Sequence, residues 1–300
     1  MFLLPVGIML AGWGALPQQR ARTAASVGLL ALAISAIAYS VAGFAFQFGG
    51  LGHFIPLDGY RALDSFWSLP DTSPSGNTWS VIGLAGTLLN GLGPDSLVLF
   101  LHQLPLIMTA ALIPMLALAG RVHTLIVAAI GFVASLVIAP VIGHWAWGGG
   151  WLAALGQNLR LGHGYVDVAG AGPVYLAAGL LTLIALRLYG VYRLEDQAHL
   201  PETRFPFWTI AGGVLFGLGW LMWIANDPLH AASETLDVTR AIANGLISAS
   251  AATVVSQIFS WFVIARVEPL MAARGWFAGW VIASASAPFI STASALGLGA

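Results

Sequence analysis

Cysteine is absent from the 300 residues, which excludes a disulfide framework, a thiolate metal site and thiol redox chemistry. Lysine is absent too; all 11 basic residues are arginine. Charge of either sign is scarce. Only 8% of residues are charged, against roughly 25% in soluble domains. A net charge of −1 with no basic stripe excludes a nucleic-acid footprint. No phosphate-loop pattern surrounds the glycine triplet Gly148, Gly149 and Gly150. The histidines His53, His123, His163, His199 and His230 show no metal-ligand spacing. No metal, no cofactor and no enzyme activity are therefore expected. Ligation of a haem or pigment by His102 or His144 has no second feature behind it.

What is present is apolar sequence, 58% of the chain. A spanning helix needs about 20 mostly apolar residues. Eight segments qualify: 2–16, 23–48, 96–119, 123–145, 167–189, 206–225, 238–265 and 276–298. The first lacks a basic leader and reads as a span rather than a cleaved signal. The expected fold is all-α, a single transmembrane domain over 1–300, with an outer segment at 49–95 carrying short interfacial helices and a cytoplasmic loop at 187–205. The short apolar runs between 77 and 94, broken at Asn90-Gly91 and Gly93-Pro94, read as an interfacial helix or a loop.

The arginines orient the bundle. With the N-terminus outside, Arg20, Arg22, Arg121, Arg187, Arg193, Arg204, Arg266 and Arg274 all fall in inner segments, as the positive-inside rule requires. Both termini of an eight-span chain then lie outside. The acids Asp58, Asp64, Asp71, Asp95, Asp167, Asp227, Glu234 and Asp237 gather on the outer side. They either concentrate cations at the mouth or are merely tolerated there. Small-xxx-small pairs mark helix crossings in lipid; Gly213 with Gly217, Gly275 with Gly279, and Ala283 with Ala287 have that spacing.

The stretch from Gly143 to Gly179 carries the most information. It combines Trp145, Trp147 and Trp151, the glycine triplet, and Asp167 before an apolar run. Tryptophan favours the membrane–water interface, glycine permits a tight turn, and an aspartate at this position can cap a helix. Polar residues inside a bilayer point to protein interior or a wet path. His102, Gln103, Tyr175, Asn244 and Gln257 are the candidates, with interhelical hydrogen bonding the plain reading for the last two.

Five stretches carry a resemblance: HWAWGGGWLAALG followed by DVAGAGPVY, VGIMLAGWGALPQQR, GWLMWIAND, AIANGLISASAA and RGWFAGWVIASASAP. In content and order they resemble the ammonium transporter (Amt/Mep/Rh) family. The resemblance implies that family's helix bundle, shortened by its last three helices. It implies an outer ammonium site in which Trp147 is the cage aromatic, with a carboxylate, Asp227, at the family's hydroxyl position. Gln103 matches a family glutamine, and Leu106 and Trp223 occupy the two phenylalanine gate positions. Tyr175 stands where the family has the first of two pore histidines. A phenol, with a reference pKa near 10, cannot relay protons near neutrality as imidazole can.

The expected function is therefore a non-conducting family member, a structural or accessory subunit of a larger membrane complex in a bacterial inner membrane. The alternatives are an ammonium or ammonia channel and a membrane ammonium sensor. Expected partners are membrane lipid, an ammonium ligand, and either other membrane subunits or two further copies in a homotrimer. Docking of a nitrogen-signalling PII protein is not expected.

Overall fold

The computed structural model describes residues 1–16, 18–55, 57–70, 77–189, 203–231 and 237–300. Arg193, His199, Asp71, Glu234 and most of the 187–205 loop lie outside the described residues, as does the His230 side chain.

Each of the eight apolar segments forms a helix. These are α1 (Leu3–Ala15), α2 (Gln18–Ala38), α3 (Pro94–Leu118), α4 (Thr124–Val133), α5 (Ala177–Tyr189), α6 (Pro206–Ala225), α7 (Val238–Ile264) and α8 (Pro269–Ser286). Three are continued or preceded by π turns, at Tyr39–Gly43 after α2, Ala134–Ile138 after α4, and Ala171–Leu176 before α5. Among the described residues, six stretches are long and apolar enough to cross a membrane; α1, with 13 residues, is shorter.

The eighth segment departs from a single straight span. It begins at Pro269 rather than 276, and is interrupted after Ser286. Asn244 of α7 donates to the carbonyls of Ala287 (2.8 Å) and Ile290 (2.9 Å), so an amide side chain satisfies the broken backbone. A further helix, α9 (Thr292–Gly299), then runs back alongside α7. Gly299 lies against Ser248 and Ala251, so the last residues sit beside the middle of α7 rather than beyond its end.

The segment 49–95 is not purely helical either. Beside short helical turns it holds an antiparallel hairpin, β1 (Phe66–Leu69) and β2 (Trp79–Gly83), with a bulge between Trp67 and Ser68. The run expected to be an interfacial helix or loop is thus partly strand. Its β-branched and aromatic residues suit a pleated edge, and β2 is docked on the Trp–Gly loop. Trp145 Nε1 donates to the Val81 carbonyl (2.9 Å), and the Trp151 amide donates to that of Ser80 (2.8 Å). His144 Nδ1 lies 2.9 Å from the Gln47 carbonyl, so it carries the proton; Nε2 then accepts from the Ser80 hydroxyl at 2.7 Å. Both ring nitrogens of His144 serve this junction.

Helix contact in lipid depends on close backbone approach. α1 and α6 run antiparallel, and a Cβ added at Gly7, Gly14, Gly212 or Gly219 would strike the facing backbone. Gly213 and Gly217, expected to mark a crossing, instead face the Trp276 and Trp280 rings of α8. The face in contact with α1 is rotated by one residue, about 100° on a helix. Gly275 and Gly279 do meet backbone, that of α7.

Two neighbouring glycines should therefore respond in opposite ways. Gly212→Ala overpacks the α1–α6 crossing and should cost roughly 1–3 kcal/mol. Gly213→Ala, whose Cβ would stand 3.5 Å from a Trp276 ring carbon, should be neutral or slightly stabilising. Thermal unfolding in detergent, followed by tryptophan fluorescence, distinguishes them.

Candidate functional site

Asp167 precedes the π turn that opens α5. Its Oδ1 accepts from the amides of Gly170 (2.7 Å) and Ala171 (3.0 Å), and Oδ2 from Gly172 (2.7 Å) and the Tyr165 hydroxyl (3.0 Å). One carboxylate thus satisfies three amides that the helix start leaves unpaired. Its backbone carbonyl accepts from Trp147 Nε1 at 2.6 Å, which fixes the half-buried indole. Gly170 (φ 86°) makes the turn possible. A Cβ there would lie 2.7 Å from Val174 Cγ2 and 3.3 Å from Trp147 Cη2.

From Trp147 the aromatic surface continues inward. The Trp147 and Trp223 ring centroids are 6.5 Å apart, tilted by 38°. Trp223 stacks on His102, centroids 4.5 Å apart and planes 30° from parallel. The two also exchange hydrogen bonds. Trp223 Nε1 donates to the His102 carbonyl at 3.0 Å, and His102 Nε2 lies 3.0 Å from the Trp223 carbonyl. A carbonyl only accepts, so the His102 proton is on Nε2. Both residues are about 1% exposed. The pair spans 121 positions of sequence and joins α3 to α6. Sequence reasoning considered each residue but missed their partnership. A polar residue and a tryptophan each facing a bundle interior give no sign of which partner they meet.

Gln103 and Leu106 follow on α3 around the helix-internal Pro105, and both are buried. Gln103 Oε1 has no hydrogen-bond partner. Asp227 lies just past the end of α6, 6% exposed, and accepts from the Leu229 amide at 2.9 Å. It faces the outer segment: burial, then Asp95, then Asp227 raise the pKa of the Tyr60 phenol. The structure thus brings Trp147, Trp223 and His102 into one aromatic column, flanked by Gln103 and Leu106. It puts Asp227 just past the end of α6, where its charge and that of Asp95 both act on Tyr60.

Tyr175 lies near the end of the π turn before α5. Its ring is edge-on to Phe216 (6.1 Å), which in turn is edge-on to Phe277 (4.7 Å). Tyr175 is 7% exposed, and its hydroxyl has no hydrogen-bond partner. These rings border an apolar hollow of about 330 Å³ between α1, α3, α6 and α8, with Thr209 and Arg274 among its lining residues. Arg204, Arg266 and Arg274 sit at the start of α6 or around the start of α8, at the same end of the bundle as Arg20, Arg22 and Arg121. Asn244 and Gln257 act as interhelical ties, Gln257 Nε2 donating to the Glu268 carbonyl at 3.0 Å. Among the described residues no group of three acids or histidines could hold a metal ion.

Apolar helices of spanning length and a tryptophan-rich loop between them define a polytopic integral membrane protein. The Ammonium Transporter Family model matches residues 1–300, and the chain belongs to that family. It is 28% identical to the ammonium transporter Amt2 of Archaeoglobus fulgidus over 234 residues, 75% of this chain and 49% of that protein. It is 27% identical to a putative ammonium transporter of Synechocystis over 230 residues, 74% of this chain and 50% of that protein. The chain spans about half the length of these curated relatives. Among solved structures, a Sensor Amt Protein superposes with TM-score 0.78 at 24% identity, over 99% of this chain and 68% of its own. Candida albicans Mep2 superposes with TM-score 0.68 at 19% identity, over 99% and 62%. At these identities the two structures show the fold, of which this chain spans about two thirds.

The capping carboxylate gives a local test. In Asp167→Asn one acceptor becomes an NH2 that faces an amide N–H. Stability should fall by roughly 1.5–3 kcal/mol, the scale of hydrogen bonds to a charged group. The Asp167 backbone carbonyl that anchors the Trp147 indole is retained, so the emission should shift only as far as the turn itself moves. A thermal melt and an emission spectrum measure the two effects.

Proposed function

We propose that this chain is a non-conducting member of the ammonium transporter family that serves as a structural or accessory subunit of a larger membrane assembly. The observation that carries the reading is the buried His102–Trp223 pair. It is stacked, bonded at both ends, and continues the aromatic surface inward from Trp147. Opening it costs an aromatic contact of about 0.5–1.5 kcal/mol and two hydrogen bonds of about 1 kcal/mol each. Tyr175 supports the same reading, because a buried phenol replaces the relay imidazole at that position.

In this proposal the arginine-rich end faces the cytoplasm of a bacterial cell, and Trp147 marks the outer face. The Trp147 ring remains available to an ammonium ion as a cation–π surface, worth about 0.5–2 kcal/mol. Asp227 and Gln103 are the proposed polar companions of that site, and Leu106 with Trp223 the closed gate. Partner chains, either other membrane subunits or further copies of this one, cover the remaining helix faces.

A second reading, an ammonium or ammonia channel, is favoured by the apolar hollow beyond Tyr175, which offers a dry route for a neutral molecule. Flux decides between the two. In proteoliposomes, methylammonium uptake by the purified chain should not exceed that of empty vesicles. Uptake above that level would establish the channel reading and end the accessory one. Purification from native membranes should also recover other subunits with this chain; a homotrimer alone would count against an accessory role.

A further inference from the structure

One long apolar span begins at Arg20 and ends at Phe54. Around Phe54, at the end away from the arginines, the hairpin and the Trp–Gly loop enclose a cavity of about 480 Å³. Its polar lining is His53, Asn77, Thr78, Gln157 and Asn158, and Phe54 supplies an aromatic face. No arginine, aspartate or glutamate is among the described residues that line it.

The walls are held in place independently of any ligand. Asn158 Nδ2 donates to the Thr78 carbonyl at 2.8 Å, which ties the short helix Leu155–Leu159 to the hairpin. Phe54 packs against the rings of His53 and Phe66, each with its centroid 5.2 Å away. Gly149, at φ 81°, lets the Trp–Gly loop close on Phe54, because a Cβ there would strike the Phe54 ring. Walls that are already ordered lower the cost of binding. Against them, the Thr78 hydroxyl, the Gln157 amide and Asn158 Oδ1 have no hydrogen-bond partner among the described residues. These three groups line the cavity and tie nothing together.

We infer that this cavity binds a neutral saccharide unit, its apolar ring face toward Phe54 and its hydroxyls on Thr78, Gln157 and Asn158. Three features select this occupant. Sugar hydroxyls both donate and accept, and hydroxyl and amide side chains answer both roles. An aromatic side chain offers a flat apolar surface to the C–H face of a sugar ring. A lining without arginine, aspartate or glutamate gives an ionised ligand no counterion, so a charged one would lose hydration without recompense. The volume lies within the range of small-molecule sites, about 300–1,000 Å³. A free sugar and one unit of a larger glycan share this chemistry. Trp147 is not part of the lining, so the inference depends neither on ammonium binding nor on conduction.

The test is saturation-transfer difference NMR on the full chain in lipid nanodiscs, which avoids detergents with sugar headgroups. The probes are N-acetylglucosamine, its cationic counterpart glucosamine, and N-acetylglycinamide. N-acetylglucosamine should give a saturable signal and bind more tightly than the other two. Gln157→Ala removes one hydrogen-bonding side chain from an exposed position and should weaken it about fivefold. Ala154→Phe, which fills the cavity from its wall, should abolish the signal. No saturable signal from N-acetylglucosamine would overturn the inference, and so would a signal that both variants leave unchanged. Equal binding of glucosamine would show that charge is not discriminated, and equal binding of N-acetylglycinamide would show that the cavity reads amides rather than sugar rings; either result overturns it. With chitotriose as a further probe, tighter binding would assign the unit to a glycan chain and equal binding to a free sugar, both in support. A melting temperature matching wild type shows that each variant is folded.

Discussion

The close antiparallel contact of α1 with α6 sets the geometry of everything inward of it. Lipid supplies no hydrophobic drive between helices, so they must gain from close packing. Gly7 and Gly14 on one side, with Gly212 and Gly219 on the other, bring the two backbones together. Once that face of α6 is taken, the rotation of the helix is fixed. Phe216, Trp220 and Trp223 are then directed into the bundle, each with 1% exposure or less. A one-residue rotation would put Gly213 and Gly217 against α1 and turn these rings elsewhere. The aromatic column is thus a consequence of where the small residues lie.

Within that frame, the interior polar groups are dealt with in two ways. Some are structural ties: Asn244 to the broken segment before α9, His144 between Gln47 and Ser80, and Asp167 to the turn before α5. The ties near Trp147 form one continuous support. The hairpin docks on the Trp–Gly loop, the loop carries Trp147, and Trp147 is bonded to the residue that caps α5. The second class is the His102–Trp223 pair. Each residue there satisfies the other's backbone and stacks on its ring. Pro105 cannot donate to the carbonyl four residues before it, so α3 has a weakened hydrogen-bond ladder next to this pair. A buried pair bonded twice across two helices is a rigid element, whereas Trp147 is held at one point and keeps part of its ring accessible. The column thus has an accessible ring at one end and a rigid, buried pair further along it.

Much of this was legible in advance, for reasons that can be named. Apolar runs of spanning length force helices, because a bilayer offers no other partner for backbone amides and carbonyls. Trp147, the glycine triplet and the DVAG turn were identifiable because interface and turn each demand specific residue types. The interruption after Ser286 was not anticipated, although Pro288 and Ser291-Thr292 are breaker signals inside the run 276–298; the break is stabilised by Asn244 from another helix. Nor was the hairpin, since a strand of five residues and an interfacial turn have similar composition.

Membrane residence, the positions of the helices, the gathering of arginines at one end and the family were determined by the sequence itself. Each of these rests on local chemistry: hydropathy, charge and turn geometry act over a few residues. Tertiary structure alone decided which helix faces meet. It put Gly212 rather than Gly213 at the α1 crossing, paired His102 with Trp223 across 121 residues, and gathered Phe54, Thr78 and Gln157 around one cavity. Those outcomes depend on the rotation and close fit of helices far apart in the chain, and no window of sequence contains both halves of such a contact.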